Sequence, residues 1–140
     1  MQTHSHTISA ESLAAHLEAH GVLPTRQRLE IAAVLFARNQ HLSADQVLAE
    51  VNRRTGQVSK ATVYNTLNLF ARQGLIREVI VDPAKVMYDT NTDDHHHFYN
   101  VDSGELIDID ADAFSISGAP KPPTGTVAEG VDIVVRVRNR

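Results

Sequence analysis

The chain has 140 residues, 42% of them hydrophobic, with a net charge of −4 and no cysteine. That length can bury a core in one domain or two small ones, and the lack of thiols excludes disulfides, thiolate zinc sites and a cysteine nucleophile. No apolar run approaches the roughly 20 residues of a membrane span, and the opening MQTHSHTISAES lacks the basic and apolar regions of a signal peptide, so no membrane association and a cytoplasmic location are expected.

The charge is unevenly distributed. Residues 1–85 carry a net charge of +2 and residues 86–140 a net charge of −6. The first part sets Arg26, Arg28, Arg38, Arg53, Arg54, Lys60, Arg72 and Arg77 against few carboxylates, a local excess suited to a polyanion.

In chain order, Ser9 is a helix cap before Leu13 and Leu17, which lie i, i+4 apart, and Gly21 stops that helix. The stretch PTRQRLEIAAVLFARN predicts a second helix, capped by Thr25, with Leu29, Ala32, Ala33, Phe36 and Ala37 recurring as a stripe at helical spacing. Ser43 caps a third, in which Ala44, Val47, Leu48 and Val51 share a face before Gly56 ends it. The fourth, SKATVYNTLNLFARQG, places Val63, Leu67 and Phe70 on one side and Lys60, Ala61, Tyr64, Asn65, Asn68 and Arg72 on the other. That second arc offers amide, phenol, methyl and ammonium groups, which suit base edges and phosphates in a major groove.

Next, LIREVIVDPAKVMYDT alternates on both sides of Asp82-Pro83-Ala84-Lys85 and predicts a β-hairpin. Helix, short turn, helix and hairpin is the order of a winged helix-turn-helix, with the helix from about residue 60 to 73 as the reading helix. Beyond it the pattern changes to strands: HHFYNV, a turn at Asp102-Ser103-Gly104, ELIDID, and a closing VDIVVRVRNR in which Val131, Ile133, Val135 and Val137 share a face. The intervening FSISGAPKPPTGTVAEG is too rich in Gly and Pro for a long regular element. Three strands make a small core, so this part is expected to form a homodimer. The fold class expected is α+β: a winged helix-turn-helix over residues 1–90, then a small α/β dimerisation and ligand-sensing domain over residues 91–140.

The run DDHHHFYNVDSGELIDID concentrates imidazoles and carboxylates, the ligand chemistry of Fe(II), Mn(II) or Zn(II), and imidazole also ligates haem iron. His4, His6, His16 and His20 have no carboxylates at suitable spacing and read as surface residues. A His/Asp metalloenzyme is the competing class, but the chain has no nucleophile elbow, P-loop or His-Glu-x-x-His helix, and none is expected to make it an enzyme.

The segments LPTRQRLEI, HLSADQVLAEV, VSKATVYNTLNLFARQGLI and HHHFYNVDSGELIDI, in this order and at these separations, resemble the ferric uptake regulator superfamily over about residues 20–110. Among its branches the chain is most similar to the haem-responsive iron response regulators, on DTNTDDHHHFYN and the closing VDIVVRVR. The resemblance implies a dimeric repressor of iron or haem homeostasis genes that binds an inverted-repeat operator in double-stranded DNA. The superfamily's peroxide-sensing and manganese- or zinc-sensing regulators are the alternative.

By motif alignment the regulatory metal site falls on His41, Asp89, His95, His97 and Asp108. His95 and His97, i and i+2, would share a strand face, with Asp108 on the neighbouring strand. The branch resemblance adds haem as a second ligand, at His95, His96 and His97. For such a regulator, Tyr64 and Asn65 are expected to touch bases and Lys60, Arg26 and Arg28 phosphates, with Thr62 and Asn68 also DNA-binding. The chain departs from the superfamily in having neither the Cys-x-x-Cys pairs of a structural zinc nor a Cys-Pro haem motif.

Overall fold

A computed structural model of the chain describes residues 9–82, 84–113 and 115–140; His4, His6 and Pro83 lie outside them. The chain divides into two compact units, Met1–Thr92 and Asp93–Arg140. Among the described residues, no helix is long and apolar enough to cross a membrane.

The first unit runs α1 (Ala10–Ala19), α2 (Arg26–Leu35), β1 (His41–Ser43), α3 (Ala44–Arg54), α4 (Lys60–Arg72), β2 (Arg77–Asp82) and β3 (Lys85–Asp89). Each helix begins where a hydroxyl accepts a backbone N–H that has no partner inside the helix: Ser9, Thr25, Ser43 and Ser59 are the N-caps. At α3 the cap is reciprocal, because Gln46 accepts from the Ser43 backbone N–H at 2.8 Å. After α1 the backbone turns through Gly21 at φ 75°. That positive φ selects glycine, and a Cβ there would also press on Gln73 Nε2 at 3.1 Å.

The core of this unit joins Leu13 and Leu17 of α1, Ile31 and Leu35 of α2, Val47 and Val51 of α3, and Val63, Leu67 and Phe70 of α4, with Tyr88 of β3. α2 departs from the expected stripe. Ile31, Ala32, Val34 and Leu35 are its buried residues, while Leu29, Ala33 and Phe36 are only partly buried. The helix is apolar around most of its circumference and packs against α1, α3 and α4, so no single 100° stripe describes it. The predicted hairpin forms as β2 and β3, and the short β1 pairs antiparallel with β3 to complete a sheet of order β1-β3-β2.

The second unit contains β4 (His97–Asn100), β5 (Leu106–Asp108), a 3-10 turn at Ala111–Ala113 and β6 (Val134–Val137). β4 is central, antiparallel to β5 and parallel to β6. The register fixes two rows across the sheet. One is Asp108–His97–Val134, and the next is Ile107–Phe98–Val135. Adjacent residues of a strand face opposite ways, so alternation separates a ligand-bearing row from an apolar one, and a one-residue slip would exchange them.

The closing strand is shorter than the alternation predicts. Val131 and Val135 are exposed, whereas Ile133, Val134 and Val137 are partly buried. Among the described residues of this unit, no layer covers Val131 and Val135.

Candidate metal ligands and nucleic-acid interface

The expected metal ligands fall into two sets, one in each unit. In the first, the β1–β3 register places His41 opposite Asp89. His41 Nε2 stands 3.2 Å from Asp89 Oδ2. The Asp89 side chain is only 2% exposed, and its Oδ1 accepts the Asn91 backbone N–H at 2.9 Å. A carboxylate removed from water to this degree requires charge compensation as well as hydrogen bonds.

In the second unit the β4–β5 register places His97 opposite Asp108. Asp108 Oδ1 lies 3.2 Å from His95 Nε2 and 3.3 Å from His97 Nε2. β4 begins at His97, so His95 sits just before the strand rather than within it. The two rings still come together, with centroids 4.4 Å apart. His95 Nδ1 lies 2.5 Å from the Asp93 carbonyl. A carbonyl only accepts, so Nδ1 donates to it, which leaves Nε2 as the nitrogen able to ligate a metal. An imidazole held through Nδ1–H by a carbonyl is the usual arrangement of a metal-ligating histidine. Nitrogen lone pairs and a carboxylate oxygen repel one another at about 3 Å unless a proton or a metal ion lies among them, and the donor set is that of a borderline divalent cation.

His96 is placed differently. Its Nδ1 accepts the Ile133 backbone N–H at 3.0 Å, and its carbonyl accepts from Ile109 N at 2.9 Å. It ties the approach to β6 and the end of β5 to the strand between them. Ligation through Nε2 would require the ring to lose the proton that the Nδ1-accepting tautomer keeps there.

On α4, Tyr64, Asn65 and Asn68 are exposed along the arc opposite the buried Val63, Leu67 and Phe70. Lys60 Nζ lies 5.7 Å from the centre of the Tyr64 ring and 3.9 Å from Asp45 Oδ1. Thr62 Oγ1 accepts from the Ser59 hydroxyl at 2.9 Å, tying it to the helix cap. Arg26 is exposed and pairs loosely with Glu30 at 3.4 Å. Arg28 is more committed, because its guanidinium donates to the Leu23 carbonyl at 2.9 Å.

Tyr88 is a residue that the sequence reading did not single out. Its hydroxyl stands 3.5 Å from Asn68 Oδ1. Burial first, then Glu78 and Tyr64, push its pKa up, so the phenol keeps its proton and donates to Asn68. The signal available was the alternation of the hairpin, which turns Tyr88 inward but cannot say against which helix. A cleft of about 720 Å³ between α4 and the hairpin is lined by Tyr64, Asn68 and Tyr88 together with Asp45, Glu78 and Lys85.

A winged helix with an exposed polar reading arc, in a chain that also carries imidazole–carboxylate sets of metal-ligand chemistry, defines a metal-responsive DNA-binding regulator rather than an enzyme. The relatives give the family. The sequence model of the Ferric uptake regulator family matches residues 19–119. The Ferric uptake regulation protein of Synechococcus elongatus is 34% identical over 117 residues, covering 81% of this chain and 80% of that one. The peroxide-responsive repressor PerR of Staphylococcus epidermidis is 30% identical over 99 residues, covering 71% of this chain and 66% of that one. Among solved structures, the ferric uptake regulator of Pseudomonas aeruginosa with manganese superposes with a TM-score of 0.66 at 25% identity, over 90% of this chain and 96% of that one. The chain belongs to the ferric uptake regulator family, whose members are DNA-binding, metal-responsive transcriptional regulators.

Proposed function

We propose that the chain is a dimeric, cytoplasmic repressor of iron or haem homeostasis genes, of the iron response regulator type, which reads a divalent cation through His41, Asp89, His95, His97 and Asp108. The observation that carries this reading is the strand register. It sets His41 against Asp89 in one unit and His97 against Asp108 in the other, and each set alone would leave coordination positions to water that the other set's donors could take. A single ion shared by both sets would couple the DNA-reading unit to the second unit, and its binding energy would favour one arrangement of the two.

The second unit would supply the dimer contact. Its row Ile107–Phe98–Val135 is exposed at 42%, 36% and 39%, a contiguous apolar strip that a second copy would cover. Two-fold pairing of reading helices calls for an inverted-repeat operator. On each half-site Tyr64, Asn65, Asn68 and Thr62 would face bases, with Lys60, Arg26 and Arg28 at phosphates.

Haem is the proposed antagonist at His95, His96 and His97. His97 is 1% exposed, so haem iron reaches it only by opening the contact with Asp108, and His96 ligates only by giving up its bond from Ile133. Haem ligation and the metal set therefore exclude each other.

The test is DNA binding by the purified protein, metal-free, loaded with Mn(II), and loaded then exposed to haem. The DNA is selected from a random pool by the Mn(II)-loaded form. Mn(II) should raise affinity roughly 5- to 150-fold, the usual span of allosteric coupling, and haem should reverse it with a Soret shift that depends on His95–His97. Equal affinity in the first two states removes the metal-responsive reading. Lack of a His-dependent Soret shift removes haem alone and favours the peroxide-, manganese- or zinc-sensing alternative.

A further inference from the structure

A second pair of imidazoles lies within the first unit, on α1. The sequence HLEAH places His16 and His20 at i and i+4, one helical turn apart on one face. Their ring centroids are 5.0 Å apart with the planes inclined at 74°. His20 Nδ1 lies 3.0 Å from the His16 carbonyl, which can only accept, so Nδ1 donates and Nε2 is the nitrogen left to ligate a metal. Burial, and then the nearness of His20, hold the His16 pKa below its ordinary value, which leaves this ring neutral at neutral pH.

The pair lies where the ends of other helices come close. His20 is the C-cap of α1, Phe36 the C-cap of α2 and Gln73 the C-cap of α4. The His16 ring stands edge-on to Phe36 at 5.1 Å, and the His20 carbonyl accepts from Gln73 Nε2 at 3.0 Å. The C-cap side chains of α2 and α4 thus touch the end of α1, whose own macrodipole places roughly half a negative charge there.

We propose that His16 and His20 form a separate binding site for a borderline divalent cation such as Zn(II), Cu(II) or Ni(II), with water completing the coordination. Imidazole is the ligand these ions share, and two histidines one turn apart on a helix are a known way of holding Zn(II). The site binds rather than hydrolyses. In the hydrolytic His-Glu-x-x-His arrangement a glutamate follows the first histidine, whereas here the buried Leu17 does, and Glu18 is exposed on another face. An ion held there would fix the last turn of α1, stabilising the first unit by mass action.

The experiment titrates Zn(II) into chelator-treated full-length protein, counting bound ions by calorimetry and following histidine ring signals by NMR. The wild type should bind one more ion than either His16→Ala or His20→Ala, with shifts at both rings. His97→Ala should keep those shifts, which separates this site from the His/Asp sets. Should His16→Ala fold poorly by circular dichroism, His16→Gln keeps a polar side chain of similar bulk without the imidazole. Equal stoichiometry in wild type and a folded His16 variant, or ring shifts that vanish in His97→Ala, overturns the proposal.

Discussion

The two units differ most in what they bury. In the first, four helices and a sheet enclose Leu17, Ile31, Leu35, Leu67 and Phe70 at 0% exposure. In the second, the buried side chains among the described residues are Tyr99, Leu106 and Ile109 at 6–8% exposure, and the polar His97 at 1%. A large apolar core stabilises a fold without further partners, whereas a three-stranded sheet needs a layer over its face. On the proposed function, the first unit serves as the DNA-reading head and the second as a surface to be covered, by a second copy on the apolar row and by a cation on the ligand row.

The sharpest way to break that comparison is to truncate one aromatic in each unit. Phe70→Ala should cost about 3–5 kcal/mol of unfolding free energy, measured by urea denaturation, because it empties a fully buried site. Phe98→Ala should leave the first unit's transition in place and instead weaken self-association in sedimentation equilibrium. Equal unfolding penalties at a concentration where the chain is monomeric would erase the distinction.

The second contrast is between ligands and their surroundings. His97→Ala and Asp89→Asn should each lower Mn(II) affinity by at least about tenfold in calorimetry, since loss even of an outer partner of a metal ligand costs 10- to 100-fold. A tenfold loss from only one of the two would mean that the sets act separately.

Within the reading head, Asn65→Ala should relax sequence preference by about 1–3 kcal/mol at one base position. Lys60→Ala should weaken all sequences alike and reduce the salt slope by about 1, both read by binding titrations at several salt concentrations. If the two variants behave alike, α4 is not read as assigned.

What could be read beforehand followed how local each determinant is. Ser59 before Val63, Leu67 and Phe70 announces α4, because cap and stripe are set within a few turns. Thr25 marks the start of α2 equally well, but which of its apolar positions are buried most deeply depends on three neighbours. β1 could not be seen: three residues, His41 to Ser43, show no period, and their partners at Asp89, Tyr88 and Met87 are more than forty positions away. The start of β4 at His97 rather than His95, and the uncovered Val131 and Val135, were likewise hidden, because alternation announces a strand but not what lies over it. For the candidate site, the ligand types came from the His-rich run and the family resemblance, while the pairing of His41 with Asp89 and of His97 with Asp108 is a product of register.

The smallest expected effect lies on α3, where Arg53 and Arg54 hold the exposed Glu50 carboxyl down at about 2. A carboxyl whose folded pKa is depressed adds stability above its ordinary value of 4.5 and loses it as pH falls toward 2. Glu50→Gln should flatten that part of the stability profile in acid titrations and change little at neutral pH, as expected of a solvent-screened pair.

The measurement closest to the central proposal is a Co(II) titration of the full chain followed by its visible absorption bands. One ion bridging both ligand sets predicts a single band system saturating at one equivalent for the tight site, abolished alike by His41→Ala and by His97→Ala. Two band systems, each lost in only one of these variants, would contradict a shared ion and with it the coupling between metal and DNA.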